Sequence, residues 1–187
     1  CFNELGWTSL SLLSDNDREA ILKELFQPNI GANFTICRMP VGANDFSRHW
    51  YSYNETDGDF EMKNFSIAND YETLILFIKN AQKYNPALKL WASPWSPPTW
   101  MKYNKHYASQ PVPDVSGWSK EQLQTMRDNW GMDFKGISNG MKPEQRMHEG
   151  TDMFIQDEKY FKAYSLYFSK FIDAYKKEGI HIGMVMP

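Results

Sequence analysis

The sequence has little cysteine and no long apolar run. Its two cysteines, Cys1 and Cys37, are too few for a disulfide-rich scaffold, and neither lies in a C-x-x-C or zinc-binding spacing. No apolar run approaches the roughly 18 residues that a membrane-spanning helix requires. The sequence therefore predicts no transmembrane segment.

Clusters of basic residues and the common cofactor motifs are also missing from the sequence. The formal net charge is −3, and no Lys/Arg cluster occurs, so no nucleic-acid partner is predicted. Neither G-x-G-x-x-G nor G-x-x-x-x-G-K-[ST] is present, which argues against a nucleotide-binding fold. The four histidines are isolated and form no H-E-x-x-H pair, and there is no G-x-S-x-G. We therefore expect no cofactor and no metal.

Aromatic residues are abundant instead. Phe, Trp and Tyr make up 16% of the chain, with seven Trp, and three of these lie in "WASPWSPPTW" at 91–100. Proline fixes φ and lowers the entropy of the unfolded loop, so this stretch can hold an indole ring rigidly at a surface. The alternative is that Trp91 and Trp100 are core residues. For Trp91, which lies inside a predicted strand, we expect the core.

Predicted strands and helices alternate along the chain. Apolar spacing predicts helices over 14–26, 70–84 and 157–178, with Ser14 at the start of the first. The predicted strands are a short opening segment before Glu4, then 33–40, 88–94 and 181–187. The order β-α-β-α-β-α-β predicts an α/β fold with parallel strands.

Two architectures fit this order, a doubly wound sheet and part of a (β/α)₈ TIM barrel. Polar and aromatic residues follow each predicted strand, which in a barrel places them at one mouth: Glu4 and Trp7, then Asp45 and His49, then Trp95 and Trp100. The barrel is favoured, with residues 1–187 as its N-terminal half and the first four strands. Residues 101–156 interrupt the rhythm and predict a long loop insertion beside the mouth, with a short helix begun by a Ser119–Gln122 capping box; a surface excursion is the alternative.

Carboxylates and tryptophans are the side chains that remain for chemistry. Sugar rings present C–H faces that pack on flat aromatic surfaces, and their hydroxyls pair with Asp and Arg. The composition of the predicted mouth therefore favours a carbohydrate ligand.

Five segments resemble glycoside hydrolase family 30, the family of glucosylceramidases and endo-β-1,6-glucanases. They are "CFNELGW", "CRMPVGANDFS", "YSYNETDGDFEMKNFSI", "WASPWSPPTWMK" and "GMVMP", in that order along the chain. Residues 101–156 are unmatched. The R-x-P-x-x-x-x-D-F-S and S-P-W-x-x-P-x-W patterns are the most specific parts of the resemblance.

The resemblance implies a (β/α)₈ barrel with an attached β-sandwich domain and a retaining mechanism with two Glu, whose carboxyls lie roughly 5 Å apart. It implies that Asp45 binds hydroxyls of the sugar in the cleaved subsite and that Trp95 lines the same subsite. It also implies that Arg38 lies beneath the catalytic pair, where its charge keeps the nucleophile ionised.

The catalytic Glu residues themselves have no counterpart in this sequence. The family's M-P-x-N-E pattern begins at "MVMP", so the acid/base Glu is expected at the third residue beyond Pro187 and the nucleophile further on. We therefore expect these 187 residues alone to be inactive, and the remainder of the barrel and the β-sandwich to be their partners.

Three hypotheses follow. The first is a retaining β-glycoside hydrolase that acts on glucosylceramide-like or β-1,6-glucan substrates. The second is a non-catalytic carbohydrate-binding protein on the same scaffold. The third is a barrel hydrolase that uses Glu4 and Asp45 as its carboxylates. An enzyme for polymeric or lipid-linked sugar is normally exported or lysosomal, so we expect an exported protein.

Overall fold

The structure, a computed structural model, describes residues 1–131, 137–148, 150–151 and 153–186. The α-helices in these residues are α1 Glu4–Ser11, α2 Asp15–Phe26, α3 Leu74–Tyr84, α4 Lys120–Trp130 and α5 Glu158–Lys177. The strands are β1 Ile36–Val41, β2 Lys89–Pro94 and β3 Met184–Val185, and short 3₁₀ turns lie at Ala68–Glu72, Thr99–Met101 and Pro143–Gln145. None of the described helices combines the length and apolarity needed to cross a membrane.

The three strands form one parallel sheet in the order β1-β2-β3. Ile36 pairs with Lys89 and Val41 with Pro94, so β1 and β2 begin and end together. Trp91 pairs with Met184, and the Met186 N–H donates to the Ala92 carbonyl. The predicted parallel arrangement is confirmed, and it is the β-α-β arrangement of a (β/α)₈ barrel. A strand over 181–187 also predicts that Pro187 lies close to Trp95, but Pro187 is outside the described residues.

The predicted opening strand is wrong in the described structure. The side chain of Asn3 accepts a hydrogen bond from the Gly6 N–H at 2.7 Å, which caps α1 and starts a helix at Glu4. Only the backbone of Phe2 reaches β1, with its N–H donating to the Arg38 carbonyl at 2.8 Å. Because Asn3 caps a helix that begins at Glu4, the residues before it form no strand.

Helices α2 and α5 begin after residues that cap them, whereas the helix predicted over 70–84 begins only at Leu74, after the 3₁₀ turn at Ala68–Glu72. Ser14 accepts from the Asp17 N–H at the start of α2, and Asp157 accepts from the Lys159 N–H at the start of α5. On α2, Leu22 and Phe26 are buried, whereas the neighbouring Ile21 is 37% exposed.

The faces of the strands alternate between the core and the site. Met39 on β1 and Ala92 on β2 are paired and fully buried, and they join the apolar residues of α3 and α5 in one core. Within each strand, the residues next to these two point to the opposite face of the sheet. That face carries Arg38, Trp91 and Ser93.

The two ends of the 101–156 segment lie side by side and are joined by backbone hydrogen bonds. The Tyr103 N–H donates to the Met153 carbonyl and the Ile155 N–H to the Met101 carbonyl, both at 2.9 Å. Lys102 and Phe154 form an antiparallel bridge between these two bonds. Inside the segment, α4 begins with the predicted reciprocal capping box of Ser119 and Gln122.

A buried carboxylate joins the segment after β1 to α5. Asp70 is fully buried and accepts hydrogen bonds from the hydroxyls of Tyr51, Tyr53 and Tyr175 at 2.8, 2.6 and 2.5 Å. Burial raises the pKa of Asp70 to about 6, and the three tyrosine hydroxyls offset only part of that increase. Ionisation of Asp70 therefore costs more free energy in the folded protein than in the unfolded chain.

This cost predicts a stability that depends on pH. An unfolded Asp titrates near 3.9, so between about pH 4 and pH 6 the folded protein holds a proton on Asp70 that the unfolded chain has lost. The contribution of Asp70 to the free energy of unfolding should therefore fall as pH rises through this window, by up to about 3 kcal/mol. Urea unfolding of the intact protein from pH 4 to 7 measures it.

The control variants separate Asp70 from the other acids. Asp70→Asn should remove this fall, because the amide does not titrate. Asp173→Asn, on the exposed face of α5, should retain it. An Asp70→Asn protein with the same pH slope as the unmodified protein would contradict the assignment.

Candidate active site

The candidate site lies where β1 and β2 end. Because Val41 and Pro94 are paired, the loops that follow them leave the sheet at the same edge. The first loop carries Asp45 and the second carries Trp95. In parallel α/β folds, this carboxyl edge is where ligands bind.

Arg38 organises the floor of this site. Its guanidinium carbon lies 5.3 Å from the ring centroid of Trp91 and 5.2 Å from that of Trp95. A terminal N–H donates to Ser93 Oγ at 2.9 Å, whereas the buried Nε–H has no acceptor among the described residues. The cation–π contacts hold the charge and the two rings together. The structure therefore brings Arg38 and Trp95 together.

The three tryptophans of the proline-rich loop have different environments. Trp95 is 45% exposed, so one surface of its indole is open to a ligand. Trp100 is buried and donates its indole N–H to the Asn54 carbonyl at 3.0 Å. Trp91 is only half-buried and lies on the Arg38 face of the sheet. The expectation that Trp91 is a core residue is wrong, because strand alternation turns it away from the helices.

Asp45 is held outward by its turn. Asn44 Oδ1 accepts from the Phe46 N–H at 3.0 Å, and the Ser47 N–H donates to the Asn44 carbonyl at 3.1 Å. This Asx turn leaves the Asp45 carboxylate exposed, with no hydrogen-bond partner in the part of the chain that is described. Among the described residues, Asp45 makes no hydrogen bond or ion pair with Arg38 or Trp95, although the loops that carry Asp45 and Trp95 leave the sheet at the same edge.

Glu4 has a structural role in this environment. Its carboxylate is fully buried and accepts hydrogen bonds from Arg48, Asn69 and Thr73. Burial favours the neutral acid, but the hydrogen bonds from Asn69 and Arg48 outweigh it and hold the pKa of Glu4 below its ordinary value. A general acid requires a raised pKa, so Glu4 does not fit the third hypothesis.

The sequence did not reveal two contacts that join the loops near the site. Trp50 stacks on Tyr107, with ring centroids 4.5 Å apart, so the loop after β1 meets the 101–156 segment. Lys102 donates to the Tyr107 carbonyl at 2.7 Å and to Ser96 Oγ at 3.3 Å. Lysine is normally exposed, and no pattern in "TWMKYN" marks this one as buried.

A cavity of about 510 Å³ opens beside Trp95. It is lined by the loop residues Pro94 to Pro97, by Lys102, and by Thr151, Met153, Phe154, Gln156, Phe161 and Tyr164. The site thus has a cation, flat aromatic surfaces, an exposed carboxylate nearby and space for a ligand of moderate size. No described cluster of His, Cys, Asp and Glu could hold a metal ion.

Comparisons with known proteins place this arrangement in one family. Residues 2–120 match the profile described as the glycosyl hydrolase family 30 TIM-barrel domain. The chain is 30% identical to the lysosomal acid glucosylceramidase of Mus musculus over 182 residues, and 26% identical to an endo-1,6-beta-D-glucanase of Aspergillus fumigatus over 183 residues. The solved structure of an endo-beta1,6-glucanase superposes with a TM-score of 0.67 at 25% identity.

These matches cover nearly all of this chain and a smaller part of each relative. The chain is covered to 95% by both enzymes and fully by the solved structure. In return it spans 28% of the mouse enzyme, 31% of the fungal enzyme and 33% of the solved chain. The parallel sheet, the strand-edge site and the profile match agree. The chain belongs to glycosyl hydrolase family 30, and its fold is part of that family's TIM barrel.

Proposed function

We propose that the intact protein is a retaining β-glycoside hydrolase that acts on β-glucosidic linkages, either in glucosylceramide or in β-1,6-glucan. The observation that carries this proposal is the half-exposed indole of Trp95 on the guanidinium of Arg38, at the carboxyl edge of the sheet. An exposed indole offers an apolar platform for the C–H face of a sugar ring. The relatives named above act on these two substrates.

In this proposal the described residues bind and orient the sugar. Trp95 supports the ring, and Asp45 accepts hydrogen bonds from its hydroxyls. Arg38 supplies positive charge beneath the reacting bond, and its unpaired buried Nε–H is a donor available to a carboxylate. The acid/base and the nucleophile are assigned by family resemblance to Glu residues beyond Pro187, about 5 Å apart.

A hydrolysis screen tests the class of reaction. The intact protein should cleave an aryl β-glucoside and either glucosylceramide or β-1,6-glucan, and should release little sugar from xylan. Product analysis should show the β-anomer first, because a retaining mechanism passes through a covalent glycosyl-enzyme. A protein that binds these substrates without releasing sugar would be the non-catalytic binder and would contradict the proposal.

The platform role of Trp95 predicts a large loss on truncation. Trp95→Ala should lower kcat/KM on an aryl β-glucoside by about 100-fold or more, since the sugar loses its packing surface and Arg38 loses a ring partner. Trp118→Ala is the matched control, because Trp118 is also half-buried but lies beside α4. Near-normal activity of Trp95→Ala would show that this ring does not support the sugar.

The proposed hydrogen bonds from the sugar hydroxyls to Asp45 predict a change in substrate preference. A carboxylate that binds the hydroxymethyl end of glucose loses its partner when the sugar is xylose, which lacks that arm. Asp45→Ala should therefore lower kcat/KM on aryl β-glucosides about 100-fold more than on aryl β-xylosides. Asp57→Ala, another exposed acid, should leave the ratio unchanged. Equal losses on both substrates would mean that Asp45 does not contact that end of the sugar.

A further inference from the structure

The cavity beside Trp95 lies at the neck of the 101–156 segment. Lys102 and Phe154, which form the antiparallel bridge at that neck, both line it. Trp95 and Ser96 line it as well, and the Lys102 ammonium donates to Ser96 Oγ. The cavity is therefore continuous with the proposed sugar platform, and a chain-like ligand on Trp95 can extend into it.

Lys102 is an unusual residue for the wall of such a cavity. Its side chain is only 4% exposed, and its ammonium has two neutral acceptors, Ser96 Oγ and the Tyr107 carbonyl. Within the described residues it has no carboxylate partner, and burial lowers the pKa of Lys102 to about 8. An ammonium has three N–H donors, so one donor remains for a ligand.

The remaining walls are flat and apolar. Phe154 stacks on Phe161, with ring centroids 5.4 Å apart and ring planes 20° from parallel. Tyr164 lies against Phe154 at 5.3 Å. Phe154, Phe161 and Tyr164 line the cavity together with Trp95. Aromatic faces combined with a buried hydrogen-bond donor fit a ring that has both C–H faces and hydroxyls.

We propose that this cavity binds the second sugar unit of a β-linked glucan, next to the unit that rests on Trp95. This rests on the proposed function and narrows its substrate to a carbohydrate chain rather than a glycolipid. An alkyl tail in the same cavity would bury the Lys102 ammonium without an acceptor for its remaining N–H, which costs free energy. A sugar hydroxyl supplies that acceptor.

Equilibrium binding to the intact protein tests the proposal with ligands that a glycosidase does not cleave. Three thioglucosides serve as probes in calorimetry: methyl β-thioglucoside, octyl β-thioglucoside and the S-linked β-1,6 glucose disaccharide. The disaccharide should bind at least about 10-fold more tightly than the methyl glycoside, which is about 1.4 kcal/mol. The octyl chain should add less than the second sugar.

Two variants connect this gain to the cavity. Lys102→Met should remove most of the disaccharide's advantage and leave methyl thioglucoside binding within about 2-fold. Lys105→Met is its control, because Lys105 lies outside the cavity and donates to the Trp100 carbonyl. Phe161→Ala should act like Lys102→Met without disturbing folding, since Phe161 is 46% exposed. Phe34→Ala, at 47% exposure and outside the cavity, is its control.

Each contrary result overturns the proposal. A disaccharide that binds no more tightly than the methyl glycoside shows that the cavity holds no second sugar. A larger gain from the octyl chain, unaffected by Lys102→Met, shows that it holds an alkyl tail. Equal loss of all three ligands in both Lys102→Met and Phe161→Ala shows that these residues only support Trp95. Hydrolysis of an aryl β-glucoside by the same proteins tests the proposed function separately.

Discussion

The contact of the Arg38 guanidinium with two indole rings is the interaction on which the site depends. Arg38 and Trp91 are paired across β1 and β2, so the sheet itself sets the distance between the charge and the first ring. The second ring, Trp95, comes one residue after β2 ends and is fixed by the prolines that follow it. A cation so placed keeps an exposed indole in one orientation, which is what a rigid platform for a sugar requires.

The surroundings of this contact serve to hold the two loops at the strand edge. Glu4 connects α1 to the loop after β1 through Arg48, and Asp70 connects the next segment to α5 through three tyrosines. Lys102 connects the proline-rich loop to the 101–156 segment. Glu4 and Asp70 are bonded to side chains from distant parts of the chain, whereas Lys102 joins two loops that are close in sequence. These hydrogen bonds fix the loops after β1 and β2 relative to α1, α5 and the 101–156 segment.

Much of this organisation could be predicted from the sequence, because it follows from local rules. Capping by Ser14 and Ser119 located two helices, and strand spacing together with the family patterns located the edge at which Trp95 lies. The errors arose where distant residues decide the outcome. Trp91 was expected in the core, since its sequence neighbours do not show which face Arg38 occupies. Lys102 was not recognised, because only the tertiary structure buries it beside Ser96 and Tyr107.

The central claim is that the strand-edge surface around Trp95 holds the sugar whose bond is cleaved. The most direct test is a crystal structure of the intact protein after reaction with an aryl 2-deoxy-2-fluoro-β-glucoside, which slows turnover of a covalent glycosyl-enzyme. We predict a glucosyl ring packed on the exposed face of the Trp95 indole, bonded to a Glu carboxylate, with Asp45 accepting hydrogen bonds from its hydroxyls. A ring bound away from Trp95, or no covalent sugar in a protein that still hydrolyses β-glucosides, would contradict the account.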